Sequence, residues 1–221
     1  MRTDTAQPIR LKDYRPPDWL VSTVSLDVSL HPIAAKVRAT LSLMPNPNSA
    51  AAPVVLDGDG LSLVSLKLNG ATVPADSYVA TPEHLTIPQP PNGPFTLEIE
   101  TLVDPSANTQ LSGLYRSSGT FCTQCEAEGF RRITYFPDRP DVMAVYTTRI
   151  EAGKKDTPIL LSNGNLIERG EIAGGRHFAV WHDPHPKPSY LFALVGGDLA
   201  CVEDRFVTMS GRNVTLRIYV E

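Results

Sequence analysis

An all-β, sandwich-like fold is predicted by three features of this sequence. Apolar and polar residues alternate over successive short segments, prolines are abundant and scattered, and no long stretch places apolar residues at helical spacing. The 221 residues include 20 prolines, nearly twice the roughly 5% of average usage. A ring that fixes φ and removes an N–H suits turns and strand edges, not long helices.

From Val24 to Leu30, the side chains of Val24, Leu26, Val28 and Leu30 alternate with Ser25, Asp27 and Ser29, the period of a half-buried strand, which His31-Pro32 ends. Val37, Ala39, Leu41 and Leu43 then alternate with Arg38, Thr40 and Ser42, so the two segments read as an antiparallel hairpin. Turn formers from Pro45 to Pro53 close that unit. Short strands are predicted at Val54 to Leu56 and Val64 to Leu68, the second ending on Asn69-Gly70, a pair that tolerates positive φ and suits a tight turn. Leu85 to Ile87 and Phe95 to Val103 complete a meander, separated by the Pro, Asn and Gly cluster from Pro88 to Pro94.

Periodicity is absent from Pro105 to Pro140 and resumes at Val142 to Ile150, Ile159 to Leu161 and His177 to Trp181. The continuous apolar run Tyr190 to Val195 predicts a strand covered on both faces. Phe206 to Glu221 reads as a last hairpin turning at Ser210-Gly211-Arg212-Asn213. Because it ends on a strand with no tail, a longer parent protein is expected.

A net charge of −4 and the lack of any dense Lys/Arg run give no electrostatic footprint for nucleic acid, so no nucleic-acid partner is expected. The segment from Met1 to Arg10 lacks the apolar core of a secretory leader. No stretch approaches the roughly 18 apolar residues of a membrane span, so the expectation is a cytoplasmic protein without a membrane partner. Cys122, Cys125 and Cys201 form an odd set unlike a disulfide framework, and reduced thiols are expected.

The aperiodic stretch carries the chemistry. Gln124-Cys125-Glu126-Ala127-Glu128-Gly129-Phe130-Arg131 gathers two carboxylates, an amide and a guanidinium within a few residues. Paired carboxylates can bind a cation, ligate a metal or do acid/base work, and a carboxylate beside an amide oxygen matches a substrate ammonium group, which offers several donors. Equally, Glu126 and Glu128 can be solvated charges, or Glu128 can pair with Arg131 or Arg132. Cys122-x-x-Cys125 lacks the two further ligands that a structural zinc needs, and no βα unit supports a thioredoxin-type reading, so support of the loop is the expected role. His182 and His185 lie in a proline-rich extended connector that places their rings on opposite sides, with no Cys or Glu to complete a metal set. His31 and His84 flank turns and are expected to face solvent. No Gly-x-Ser-x-Gly elbow, Gly-rich phosphate loop or His-Glu-x-x-His zinc motif occurs, so no catalytic or metal-ligating residue is assigned.

The order of motifs carries a resemblance. Lys12-Asp13-Tyr14-Arg15-Pro16-Pro17-Asp18, Gly113-Leu114-Tyr115, Phe121 to Arg131, Asp138-Arg139-Pro140-Asp141-Val142, Leu161-Ser162-Asn163-Gly164-Asn165 and Tyr190-Leu191-Phe192-Ala193-Leu194-Val195 follow one another over nearly the whole chain. In these blocks the sequence resembles the bacterial aminopeptidase N family of zinc-dependent gluzincin metallopeptidases. The resemblance implies a saddle-like β-sandwich N-terminal domain at residues 1–198 and the first strands of a catalytic domain at residues 199–221, with the zinc helix and its general-base glutamate further along. It implies zinc as the cofactor of the parent enzyme, with none bound by this part. By the same match, Glu126 is implied to bind the free α-ammonium group at a peptide substrate's N-terminus, and Gln124 to line the pocket for the first side chain. A fixed carboxylate at a set distance from the metal lets an exopeptidase count one residue from the amino end. The match also implies a strained Glu126-Ala127 peptide, with cis geometry an option.

Two functions of different class follow. One is part of an alanyl-type aminopeptidase that removes N-terminal amino acids from peptides, inactive by itself and packed on the catalytic domain of the same chain through an apolar patch. The alternative is a stand-alone β-sandwich binding or scaffolding module without peptidase activity.

Overall fold

The computed structural model of the protein describes residues 10–221, so most of the segment read as lacking a leader lies outside the described residues. The strands are β1 (Trp19–Ser29), β2 (Ala35–Pro45), β3 (Val54–Asp57), β4 (Ser62–Leu68), β5 (Ala71–Thr72), β6 (Val79–Ala80), β7 (His84–Ile87), β8 (Phe95–Val103) and β9 (Gly113–Ser117). They continue with β10 (Thr120–Gln124), β11 (Ala144–Gly153), β12 (Ile159–Ser162), β13 (Asn165–Ile172), β14 (Arg176–Lys187), β15 (Leu194–Gly197), β16 (Ala200–Val207) and β17 (Asn213–Val220). Among the described residues, the helical pieces are three short 3-10 turns at Leu11–Asp13, Phe130–Arg132 and Ser189–Leu191. The all-β prediction holds.

The period-two segments become the centre of an eight-stranded sheet in the order β13-β14-β11-β1-β2-β8-β4-β5. β1 and β2 form the predicted antiparallel hairpin, with Val24 opposite Leu41 and Val28 opposite Val37. A bulge at Ser22 lets Val21 and Val24 both point inward although they are an odd number of residues apart. The Asn69-Gly70 turn also forms, with φ of 50° and 80°, and joins β4 to β5.

The meander does not hold. β2 pairs with the later β8 in a continuous register from Ala35 opposite Val103 to Leu43 opposite Phe95, while β3, β7 and β6 form a separate three-stranded sheet. Length decides the pairing: the long β2 needs a long partner, and the four-residue β3 and β7 cannot supply one. A four-stranded sheet, β12-β15-β10-β9, and the β16-β17 hairpin complete the architecture. One core cluster joins Leu26, Leu41 and Leu97 of the large sheet to Leu56 and Leu85 of the three-stranded sheet and to Phe121 of the four-stranded one.

Two other expectations are corrected. The connector from Trp181 to Pro188 is largely the second half of β14, which still pairs Asp183 with Tyr146 and Lys187 with Ala144 of β11. Its prolines fall at a register shift, where a missing N–H breaks no ladder bond. The run Tyr190 to Val195 is not a strand covered on both faces: Ser189–Leu191 turns, Leu191 and Ala193 are exposed, and Phe192 and Leu194 point inward. The side chain of Asn163 pins this bend, donating to the Leu191 carbonyl at 3.1 Å and accepting from the Ala193 N–H at 2.7 Å.

The last hairpin starts earlier than predicted, at Ala200, and turns between Thr208 and Arg212. It is exposed along its length, including Val202, Phe206, Leu216 and Ile218.

Candidate functional site: the loop after β10

The hairpin β9-β10 lies inside the stretch that carries no sequence period. Ser118 and Gly119, at φ of 48° and 94°, make its turn. β10 is held between β9 and β15, with Phe121 opposite Gly196 and Cys122 opposite Val195. Thr123 reinforces the pairing, its hydroxyl accepting the Leu194 N–H at 2.8 Å. A strand clamped on both sides thus delivers Gln124 at its end and Glu126 just beyond it.

The loop is tight because its two ends nearly touch. Gly129 donates its N–H to the Cys125 carbonyl at 2.8 Å, and a Cβ on Gly129 would stand 2.3 Å from the Gln124 carbonyl oxygen. Only a residue without a side chain fits there. Within the turn, the Glu126 N–H donates to Gln124 Oε1 at 3.1 Å, and the Glu126-Ala127 peptide is cis, the geometry the resemblance left as an option.

Beneath the loop, Cys125 is 1% exposed, and burial together with the nearby Asp138 charge pushes its thiol pKa far up. Burial also raises that of Cys122. Neither thiol has the electropositive setting of a reactive cysteine, and Cys125 is part of the buried core cluster. The side chains of Gln124, Glu126 and Glu128 are exposed. Among the described residues Glu126 has no ion-pair partner, whereas Glu128 lies 3.6 Å from Arg131 Nη1, as the pairing alternative expected. No group of His, Cys, Asp and Glu among the described residues is close enough to hold a metal. His182 instead shares a hydrogen bond with the Thr147 hydroxyl at 2.9 Å, while His31, His84 and His185 are exposed.

The support of the loop was not visible in the sequence. Phe130 is fully buried and packs edge-on against Phe136 at 5.0 Å and Phe192 at 5.2 Å between ring centres. Asp138, whose side chain is 1% exposed, accepts from the Arg131 N–H at 3.1 Å, from Arg131 Nε at 3.2 Å and from the Ser189 hydroxyl. Arg132 turns the other way, donating to Asp59 at 2.8 Å and Gln110 at 3.0 Å. The motif block beginning at Asp138 marks this region, but nothing in it singles out a buried carboxylate. A cavity of about 520 Å³ among Leu61, Tyr78 and Tyr135 includes no residue of the loop, and Gln124 and Glu126 are exposed.

A family model for the Peptidase M1 N-terminal domain matches residues 15–191. The chain belongs to the M1 peptidase family. This M1 domain is 53% identical over 221 residues, all of the chain, to aminopeptidase N of Caulobacter vibrioides, covering 25% of that protein. It is 46% identical over 209 residues to aminopeptidase N of Escherichia coli strain K12, covering 95% of the chain and 24% of that protein. Among solved structures, aminopeptidase A of Legionella pneumophila, in complex with aspartic acid, matches with a TM-score of 0.89 and 42% identity over 96% of this chain and 25% of that one. An M1 zinc metallopeptidase of Deinococcus radiodurans shares the fold, with a TM-score of 0.76 at 19% identity over 91% of this chain and 47% of that one. The chain spans about a quarter of the length of the aminopeptidase N relatives.

Proposed function

We infer that this M1 domain, within residues 1–198, is the substrate-anchoring part of a zinc-dependent aminopeptidase that removes N-terminal amino acids from peptides. Residues 199–221 open the catalytic domain, and zinc is held further along the parent chain. Glu126 binds the substrate's α-ammonium group, and Gln124 lines the pocket for the first side chain. The observation that carries this reading is the charge arrangement of the loop: a rigidly mounted, exposed Glu126 without a counter-ion among the described residues, on a domain whose fold and family are those of M1 peptidases. A carboxylate so placed gains a charge-assisted bond only when an ammonium group arrives, and its fixed position selects a chain terminus over an internal residue. The domain alone supplies binding and not bond cleavage, and is inactive in isolation. Cytoplasmic localisation belongs to the same reading, and no helix among the described residues is long and apolar enough to cross a membrane.

The test is Glu126→Ala in the full-length protein. A lost hydrogen bond to a charged group is worth about 1.5–3 kcal/mol, so kcat/KM for a substrate with a free α-amine should fall about 10- to 100-fold. The melting midpoint should stay put, because the side chain is exposed. Parallel losses of activity and stability would make Glu126 a structural residue instead.

A further inference from the structure

The loop presents two carboxylates, and the geometry beneath it distinguishes them. Arg131 is gripped through its backbone and its side chain. Its N–H and Nε both donate to Asp138 Oδ2, its Nη2 donates to the Asp138 carbonyl at 3.1 Å, and its own carbonyl accepts the Asp59 N–H at 3.0 Å. Asp138 is fixed in turn by the Ser189 hydroxyl and by its own N–H donating to Asp57 Oδ2 at 3.2 Å. Asp57 also stands 3.7 Å from Arg131 Nη2. The planar guanidinium therefore has one orientation, and the nitrogen left over, Nη1, reaches Glu128 at 3.6 Å. Glu126 receives no such contact among the described residues.

We propose that Arg131, oriented by Asp138, is a positioning residue that occupies Glu128 and so leaves Glu126 as the single unpaired carboxylate the loop offers to an ammonium group. This rests on the reading of Glu126 as the ammonium anchor. Without the pairing, two neighbouring carboxylates would share an incoming cation, and the distance from the terminus to the scissile bond would no longer have one value. Asp138 and Asp59, by holding the Arg131 backbone immediately after Phe130, also secure the loop from its C-terminal side while β10 secures the other.

The experiment uses the full-length protein and a chromogenic aminoacyl amide with a free α-amine. Arg131→Lys keeps the charge, but a lysine cannot hold Asp138 and reach Glu128 together. Its KM should rise about fivefold to tenfold with kcat changed less than twofold. Glu128→Gln touches no buried group and removes the second carboxylate, so KM should stay within twofold of the parent. If Arg131 acts by occupying Glu128, adding Glu128→Gln to Arg131→Lys should bring KM back to within twofold of the parent. A double variant no better than Arg131→Lys alone, or an unchanged KM in Arg131→Lys, would overturn the proposal; should Arg131→Lys fail to fold, Arg131→Gln takes its place in the same comparison. Glu126→Ala, measured alongside, separates the two ideas: if it is harmless, the ammonium anchor itself is wrong, whereas a large loss there without rescue in the double variant defeats the positioning role alone.

Discussion

The eight-stranded sheet and the segment from Pro105 to Pro140 are held by different means. In the sheet, alternate residues such as Leu26, Leu41, Leu97 and Ile99 are buried with 1% exposure or less, while outward neighbours such as Asp27 and Glu100 form ion pairs on the solvent face, with Arg149 at 3.0 Å and Arg38 at 2.9 Å. Stability there is spread over many equivalent apolar contacts. The Pro105–Pro140 segment has few strand residues and instead concentrates its hold in one aromatic cluster, one buried carboxylate and two crowded glycines, Gly113 and Gly129. Distributed contacts tolerate single losses locally. Concentrated ones pass each loss to the loop they carry.

That contrast can be broken by matched substitutions in the full-length protein. Phe130→Ala should cost about 3–5 kcal/mol of local stability and Leu97→Ala about 2–5 kcal/mol, read from hydrogen exchange of amides in β10 and β8. The two should part in kinetics: Phe130→Ala should raise KM for a free-amine substrate severalfold, and Leu97→Ala should leave KM alone. Equal KM effects would erase the distinction. Gly129→Ala comes next, since its new methyl must displace the Gln124 carbonyl from 2.3 Å; overpacking of this kind costs about 1–3 kcal/mol and should raise KM as well.

The smallest effect is expected on the sheet's outer face. Burial alone would raise the pKa of Glu100, but the bond from Arg38 at 2.9 Å and the Lys36 ammonium at 3.5 Å outweigh it and hold the carboxyl below its usual range. A depressed folded-state pKa contributes stability above the unfolded value, about 4.3, and loses it as pH falls through the folded one. Glu100→Gln should therefore cost less than about 1 kcal/mol at neutral pH and less again as pH falls below the usual carboxylate range, measured by the difference in melting midpoint between neutral and acidic pH.

What the sequence disclosed follows the same division. β2 and β8 were legible because a sheet with one face on the core writes its period into the residues, as Val37 to Leu43 and Phe95 to Ile99 do. β9 and β10 were missed because their burial does not alternate: each begins with two buried residues and ends exposed. β13 was missed because Asn165 to Ile172 is an edge strand with no side chain buried, so no apolar period is imposed. The candidate site was half visible. Residue chemistry showed a loop able to meet an ammonium group without choosing between Glu126 and Glu128, and family resemblance made the choice. Asp138 and Phe130 stayed hidden because a buried support is defined by its neighbours in space, here Ser189 and Phe192, far along the chain.

The parallel pairing of β1 with β11 bears on how the chain is made. Thr23 sits beside Val145, and Asp27 meets Arg149 across a separation of 122 residues. At about 5–20 residues per second of synthesis, β1 emerges on the order of 6–24 s before the strand that will cover its open edge exists. During that interval the β1-β2 hairpin can already be closed, with its other flank bare. A carboxylate at Asp27, in the middle of the waiting strand, keeps two nascent copies from zipping together along it. The residue that later anchors Arg149 thus guards the edge on the ribosome first.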